Sequence, residues 1–287
     1  MRIGISFIGL IICILLLAAV PLSITISDGN LSIQFQTIVD LIFNYFSSLL
    51  NGDAFTYQLG RSGSYNMLQD VPSYFITSLQ YLEIATFLTV CLGLIISSWY
   101  SKSKKEWLKD IIGFLGTIPD FILVLFLQLG VVFIFQTFGF QVARVASRSA
   151  EENAFLLPLI TLTIIPTIYL IRTLSERTYD VLTEDYILSA KAKGLQKHYI
   201  YINHVIRNIL PFLKADLHKV LAIMMSNLFI VEYLFNIRGI TAFIFGGFMY
   251  NYNVMVNTLF ILVFLYLIIY WSIRILIYFL ERVFARD

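Results

Sequence analysis

The sequence predicts an all-α membrane protein with six transmembrane helices, and three observations support that fold class. Apolar residues make up 59% of the 287 residues and charged residues only 13%, against roughly half and a quarter in soluble domains. The mean hydropathy of +0.81 excludes intrinsic disorder and a soluble fold of this size. Six apolar stretches are long enough, or nearly so, to cross a bilayer.

The six apolar stretches are spread along the chain. A helix needs about 20 residues to cross a hydrocarbon core of roughly 30 Å. We predict membrane helices over residues 3–26, 74–100, 111–138, 155–171, 212–235 and 254–280. The first stretch is too long for the apolar region of a signal peptide and lacks a clean cleavage site, so we expect a retained helix.

Five prolines punctuate these stretches. Pro72 precedes the second predicted helix, Pro119 lies in the third, Pro158 and Pro166 lie in the fourth, and Pro211 opens the fifth. Membrane helices tolerate proline where neighbouring groups satisfy the freed carbonyls. We therefore expect helix starts or kinks at these positions.

The positions of lysine and arginine predict the orientation, because cytoplasmic loops are enriched in both residue types. With the N-terminus inside, the inner segments hold sixteen of the twenty. These are Arg2, Lys102, Lys104, Lys105, Lys109, Arg172, Arg177, Lys191, Lys193, Lys197, Arg207, Lys214, Lys219, Arg274, Arg282 and Arg286. The outer segments hold Arg61, Arg144, Arg148 and Arg238. We therefore expect both termini in the cytoplasm.

Two long polar intervals separate the predicted helices. They divide the chain into a first helix (1–26), an extracytoplasmic segment (27–73) and a five-helix core (74–287) with a cytoplasmic loop at 172–210. The apolar run at 38–50 is too short to span, so we predict a helix on the outer surface or packed on the bundle. The inner loop is helical in pattern throughout, and long ordered loops are commonly functional.

Motifs for catalysis, metal binding and nucleotide binding are absent from the sequence. The three histidines, His198, His204 and His218, lack zinc-site spacing. The Gly-Lys dipeptide of a phosphate-binding loop does not occur. We therefore predict a non-enzymatic chain that binds no cofactor or metal, with transport energy from a partner or an ion gradient.

Charge and cysteine content exclude two further classes of protein. The net charge of +2 gives no footprint for nucleic-acid binding. Cys13 and Cys91 both lie in apolar stretches, where cysteine behaves as a small hydrophobic residue. We predict neither nucleic-acid binding nor a disulfide.

The inner loop carries the most informative motif. Residues 184–195 read EDYILSAKAKGL, and RNILP follows at 207–211. This pattern resembles the EAA loop of ABC-importer permeases, most closely the oligopeptide, dipeptide and nickel branch. Similar elements are the Asn-Gly-Asp at 51–53, the Leu-Pro at 157–158 and the EYLFNIRGI segment at 232–240.

Three positions depart from the pattern of that family. Leu188 stands where the EAA loop carries its acidic residue, and Pro21-Leu22 replaces a longer Pro-Gly-Asp-Pro element. Arg238 occupies a position where proline is common. These departures concern the subfamily and the cargo, which the resemblance leaves as a peptide, a nickel or metallophore complex, or another small solute.

The resemblance implies a subunit of a bacterial cytoplasmic-membrane importer that forms half of the translocation pathway. Its implied partners are membrane lipid, a second homologous permease, two cytoplasmic ABC ATPase subunits and an extracytoplasmic substrate-binding protein. The implied coupling helix contacts the ATPase. The residues assigned to it are Glu184, Asp185, Tyr186, Ser189, Ala190, Lys191, Ala192, Lys193, Gly194 and Leu195.

The residue types in this loop suit docking to another protein. Ser189, Ala190 and Ala192 are small, so a partner could approach the helix backbone closely. Tyr186 flanks Ala190 at i, i+4 spacing. Gly194 can adopt the left-handed conformation that ends one helix and starts the next.

Four acidic residues fall at or near membrane depth. They are Glu83, Asp120, Asp216 and Glu232. Ionisable groups in a bilayer are costly and commonly mark a pathway or a partner. We expect them to line the translocation pathway, or alternatively to make satisfied contacts within the bundle or with another subunit.

Two other classes of protein remain open from the sequence alone. One is an ion-driven secondary transporter that uses Glu83 or Asp120 as a proton relay. The absence of paired repeats weighs against that class. The other is a membrane-embedded assembly or receptor subunit that moves no cargo.

Overall fold

The computed structural model describes residues 2–27, 30–58, 63–101, 106–147, 153–245 and 250–284. Its helices are α1 (Arg2–Ser23), α2 (Phe35–Asn51), α3 (Met67–Tyr100), α4 (Glu106–Leu115), α5 (Asp120–Phe138), α6 (Leu156–Thr183), α7 (Asp185–Ala192), α8 (Lys197–Ile200), α9 (Arg207–Leu234), α10 (Ala242–Phe245) and α11 (Tyr252–Phe284). A short 3₁₀ helix (Asp53–Phe55) follows α2, and a π-helix (Tyr201–Ile206) joins α8 to α9. Within the described residues, six helical spans are long and apolar enough to cross a membrane. The predicted all-α class with six membrane helices is confirmed.

One compact unit comprises Met1–Thr77 and Arg238–Leu265. Its buried core joins Leu15 and Ala18 of α1 to Tyr45 of α2 and Val256 of α11. The Tyr45 hydroxyl donates to Asn257 Oδ1 at 2.8 Å, so a buried polar pair adds direction to the apolar packing.

The interval between α1 and α3 has more structure than the sequence predicted. The expected helix at 38–50 is present as α2, which packs on α1 within this unit. Two antiparallel strand pairs were not predicted: β1 (Ile24–Ser27) with β2 (Asn30–Ile33), and β3 (Thr56–Gln58) with β4 (Ser64–Asn66). Strands of three or four residues are too short for a recognisable alternating pattern.

The second unit comprises Ser78–Ile237 and Tyr266–Asp287. Its core is built mainly from α6 and α9, with Leu170, Leu174, Leu213 and Leu217 fully buried. A Cβ atom added at Gly93 of α3 would lie 3.0 Å from Leu170 Cβ. Glycine at this position therefore permits the close approach of α3 and α6.

Helix α6 combines a proline with many hydroxyl side chains. Pro166 lies inside it and has no N–H to donate to the carbonyl four residues earlier. The hydroxyls of Thr161, Thr163 and Thr178 each donate to the carbonyl four residues before them, at 2.7–2.8 Å. Such bonds satisfy hydroxyls at membrane depth and accompany bending of helices.

The prediction of one continuous third membrane helix over residues 111–138 is wrong. The structure has α4, then a break, then α5, and Pro119 precedes α5 rather than lying within a helix. Proline disfavours a helical conformation in the residue before it, and Gly116 lowers helix propensity nearby. The chain therefore breaks between Leu115 and Asp120.

Other predicted boundaries also change. Helix α3 begins at Met67, so Pro72 lies inside its first turns rather than before it. Pro211 likewise lies inside α9. The loop at 172–210 is not helical throughout, because a turn separates α7 from α8.

Candidate functional site

The loop motif forms a short helix with charges that suit its two ends. Glu184 has an extended backbone (φ −66°, ψ 147°) between α6 and α7. Asp185 lies in the first turn of α7 and Lys191 in its last turn. The N-terminus of a helix carries partial positive charge and the C-terminus partial negative charge. Asp185 and Lys191 therefore stabilise the two ends of this eight-residue helix.

Gly194 closes α7 through two backbone hydrogen bonds. Its φ is +79°, and its N–H donates to the carbonyl of Lys191 at 3.0 Å while that of Leu195 donates to Ala190 at 3.3 Å. This is the Schellman arrangement, which needs a left-handed residue at that position. The predicted left-handed conformation of Gly194 is confirmed.

The inward side of α7 packs on its own chain. Ile187 and Ala190 belong to a buried cluster with Val181 of α6, Val205 of the π-helix and Ile209 of α9. Ala190 is only 6% exposed, so its methyl group packs on its own chain, and its assignment to the ATPase contact stays a prediction. The i, i+3 spacing of Ile187 and Ala190 places both on the side that faces α6 and α9.

The opposite side of α7 is open to contact, and we call it the docking face. Every residue of it is exposed, and Leu188 is 51% exposed. Its members are Glu184, Asp185, Tyr186, Leu188, Ser189, Lys191, Ala192, Lys193 and Leu195. It therefore contains all the predicted loop residues except the buried Ala190 and the turn residue Gly194.

A side-chain hydrogen bond fastens α7 to α9. Asn208 Nδ2 donates to the Tyr186 hydroxyl at 3.0 Å and to the His204 carbonyl at 2.6 Å. Burial, and to a lesser degree the Glu184 carboxylate, raises the pKa of Tyr186 above its usual value. The hydroxyl therefore stays protonated at neutral pH, with lone pairs that accept from Asn208.

A second contact links the loop to α3. The hydroxyl of Tyr201, at the start of the π-helix, donates to the Leu94 carbonyl at 3.0 Å. A π-helix is rare and often marks a functional position. The sequence motif included Asn208 without indicating its bond to Tyr186, and no local pattern pointed to Tyr201, because both contacts depend on the folded chain.

Comparison with known proteins decides the family. A model of the binding-protein-dependent transport system inner membrane component matches residues 89–287. The chain belongs to this permease family. The resemblance to ABC-importer permeases that the loop motif indicated is thus confirmed, and the chain is a multi-pass protein of the cytoplasmic membrane.

Two relatives of this permease are dipeptide transport system permease proteins DppB. The protein from Bacillus subtilis (strain 168) is 35% identical over 83 residues, which cover 29% of the permease and 27% of that relative. The protein from Lactococcus lactis subsp. cremoris (strain MG1363) is 25% identical over 200 residues, which cover 67% of the permease and 63% of that relative. Each match therefore spans less than two thirds of the relative's length.

Glu83 of the permease lies in α3 and accepts a hydrogen bond from the Ser272 hydroxyl of α11. Its other carboxylate oxygen, Oε2, is buried and has no hydrogen-bond partner among the described residues. The groove around it is lined mainly by Ile, Leu and Phe side chains.

Glu232 is only 3% exposed and accepts a hydrogen bond from the Ser78 hydroxyl at 2.5 Å. Its backbone carbonyl accepts from the N–H of Ile237 at 2.8 Å, and Asn236 between them is left-handed, with φ 52°. The predicted EYLFNIRGI segment thus ends α9 with the same Schellman arrangement that ends α7.

The remaining two acidic residues of this set are Asp216 and Asp120. Asp216 accepts from the Tyr169 hydroxyl at 3.4 Å and lies 3.7 Å from Lys219 Nζ. Asp120 is the first residue of α5. Glu83, Glu232 and Asp216 each accept a hydrogen bond from a different residue, and their assignment to the translocation pathway stays a prediction.

The search for metal ligands covered only the described part of the chain. There, no group of three or more His, Cys, Asp or Glu side chains is arranged to hold a metal ion. The expectation that this chain binds no cofactor stays a prediction.

Proposed function

We propose that this permease forms half of the translocation pathway of an ATP-driven importer for a peptide or a related small solute. Its membership of the inner-membrane-component family and its similarity to two dipeptide permeases support this cargo class. The proposed partners are a second homologous permease, two cytoplasmic ABC ATPases and an extracytoplasmic binding protein. Both termini lie in the cytoplasm, as the lysine and arginine distribution favours.

The two-sided character of α7 is the observation that carries the coupling role. Its docking face is exposed, while its other side packs on the ends of α6 and α9. An ATPase groove that binds the docking face would therefore move Ile187 and Ala190 against those helices. Tyr201 would carry the same displacement to α3 through Leu94.

Coupling of this kind supports transport by alternating access. ATP-driven closure of the ATPases would shift the pathway from inward-open to outward-open. A change in population from 1:99 to 99:1 requires roughly 5.5 kcal/mol of differential binding. The permease supplies no chemistry to this cycle, and its part is to pass the displacement of α7 to the membrane helices.

Single cysteines at neighbouring positions test the proposed docking face. Cys13 and Cys91 are both free thiols and are first replaced with alanine. We expect Ser189→Cys to form a cross-link with the ATPase subunit through a short reagent that joins a maleimide to a photoreactive group, because this position is exposed and the photoreactive end needs no cysteine on the ATPase. Ala190→Cys is the matched control and should give little product, because its side chain faces inward.

Equal cross-linking of the two cysteines, or none at Ser189→Cys in an assembled complex, would contradict the proposed docking face. Co-purification of the ATPase with both variants is the required control, since it shows that assembly is intact. The yield of cross-linked product on a denaturing gel is the measurement.

The ion-driven carrier is the alternative that this proposal replaces. The two residues proposed as its proton relay have different contacts. Glu83 accepts a hydrogen bond from Ser272, and Asp120 is the first residue of α5. Uptake that follows an imposed pH gradient in vesicles holding only this chain would restore that alternative. Under our proposal such vesicles accumulate nothing.

A further inference from the structure

A large cleft lies beside α7, and two of the residues that line it, Lys191 and Leu195, also belong to the docking face. Its volume is about 1330 Å³. Four basic side chains line it, and each comes from a different helix: Lys109 from α4, Arg172 from α6, Lys191 from α7 and Lys197 from α8. Glu176 and Asp180 are the acidic residues that line it, so basic side chains outnumber acidic ones by two.

These basic groups are available to an external anion. Among the residues that the structure describes, Lys109, Lys191 and Lys197 form no ion pair, whereas Asp180 lies 3.7 Å from Arg177. Arg172 Nη2 donates to the carbonyls of Ile112 and Gly113 at 3.1 Å each. A guanidinium carries five N–H donors, so three remain for another acceptor.

Helix α4 fixes the depth of the cleft in the membrane. Trp107, Ile111 and Phe114 are 54%, 45% and 67% exposed, and their spacing places them on one side of the helix. Lys109 lies on the opposite side and lines the cleft. A helix with one apolar and one charged side lies in the membrane interface, with tryptophan at the level of the lipid headgroups.

We propose that this cleft binds the phosphate headgroup of an anionic phospholipid from the cytoplasmic leaflet. Basic pockets between membrane helices on this side of a bilayer favour such headgroups. The hydroxyls of Tyr100 and Tyr179, which also line the cleft, would donate to the phosphate oxygens. A headgroup held there touches α6 on one wall and α7 and α8 on the other, so lipid composition would restrain the coupling loop.

The test measures retained lipid on the purified full chain by native mass spectrometry. The probes are dioleoyl phosphatidylglycerol and the zwitterionic dioleoyl phosphatidylcholine. A double variant, Lys109→Gln with Lys197→Gln, removes two basic charges from the cleft. Each surface charge contributes about fivefold to the affinity for anionic lipid, so we expect about 25-fold weaker retention of phosphatidylglycerol.

Two further double variants serve as controls. Lys219→Gln with Arg282→Gln removes two charges outside the cleft and should leave retention within about twofold. Lys109→Arg with Lys197→Arg keeps the charge and should keep the lipid, which separates lost binding from lost folding.

Two results would overturn the proposal. The first is equal retention of phosphatidylglycerol by the two charge-removing variants. The second is displacement of the lipid by inorganic phosphate at matched concentration, which would assign the cleft to a soluble phosphate compound. The inference uses the proposed orientation of the chain, but lipid retention is measured without the ATPase, so failure of the coupling proposal would not change this result.

Discussion

At the residue scale, the backbone of Gly194 matters more than the space around it. A Cβ atom added there would meet nothing within 4 Å, so steric crowding is not the reason for glycine. Its left-handed φ of +79° is the constraint, and a side chain in that region costs about 1–2 kcal/mol. Asn236 shows that asparagine is accepted at the equivalent position of α9.

Gly194→Val should therefore uncouple ATP hydrolysis from uptake, whereas Gly194→Asn should retain coupling. Valine is β-branched and disfavours the left-handed region, while asparagine tolerates it. The measurement is the ratio of solute taken up to ATP hydrolysed in proteoliposomes that contain all subunits. Normal coupling in the valine variant would show that the turn after α7 has no part in the relay.

A different glycine is constrained by space. Gly93→Ala should destabilise the permease by about 1–3 kcal/mol, because the new methyl group would lie 3.0 Å from Leu170 Cβ. Gly130→Ala in α5 is the matched control, since a Cβ there meets nothing within 4 Å, and it should be neutral or slightly stabilising. Thermal unfolding in detergent compares the two, and an equal shift in both would remove the packing argument.

At the element scale, α7 acts through its attachments. The apolar cluster around Ile187 and the hydrogen bond from Asn208 to Tyr186 connect it to α6 and α9. A neutral hydrogen bond contributes about 1 kcal/mol. The apolar cluster therefore supplies most of the free energy that holds α7 on α6 and α9, and the hydrogen bond fixes the orientation of α7.

The attachment can be tested with a double-mutant cycle. Tyr186→Phe and Asn208→Ala should each reduce coupled uptake by roughly fivefold, and the double variant should be no worse than the more impaired single variant. The matched check is cross-linking at Ser189→Cys in the Asn208→Ala variant, which should persist because Asn208 lies outside the docking face. Fully additive losses would show that the two residues act independently.

The same hydrogen bond has a predictable pH dependence. The neutral Tyr186 hydroxyl is favoured in the folded protein, because its pKa is raised above 10.0. Its contribution is therefore complete below that pH and is lost only as the pH rises through the raised value. Coupling through this bond should be unchanged between pH 7 and 9.

The sequence predicted those parts of α7 that depend on neighbouring residues. The helix and the left-handed turn at Gly194 follow from local preferences. The inward orientation of Ala190 depends on Val205 and Ile209, which lie beyond a turn whose direction no short-range pattern defines. The break before Pro119 was missed because the apolar composition continues across it.

At the scale of the whole molecule, the main untested prediction is orientation. A membrane-impermeant maleimide should label Ser47→Cys, on the exposed surface of α2, in intact spheroplasts. Ser189→Cys should be labelled only after the membrane is permeabilised. The reverse pattern would place the docking face outside, away from any cytoplasmic ATPase.

Family membership and local structure answer different questions about this molecule. The family match at residues 89–287 includes every helix of the coupling loop. It does not reach the interval that contains α2 and the two strand pairs. The hydrogen-bond partner of Tyr45 in α2, Asn257, is distant in the sequence. The helix was predicted from the sequence, whereas the strand pairs and this long-range hydrogen bond could be found only from the folded chain.

Pro166 determines where α6 bends when α7 is displaced. Its C-terminal end meets α7 at Val181, while Pro166 leaves one backbone carbonyl without its usual donor. Bending at Pro166 therefore breaks one backbone hydrogen bond fewer than bending elsewhere in the helix. A displacement of α7 should therefore reach the N-terminal half of α6 as a change in the tilt of the residues before Pro166, rather than as a rigid translation of the whole helix.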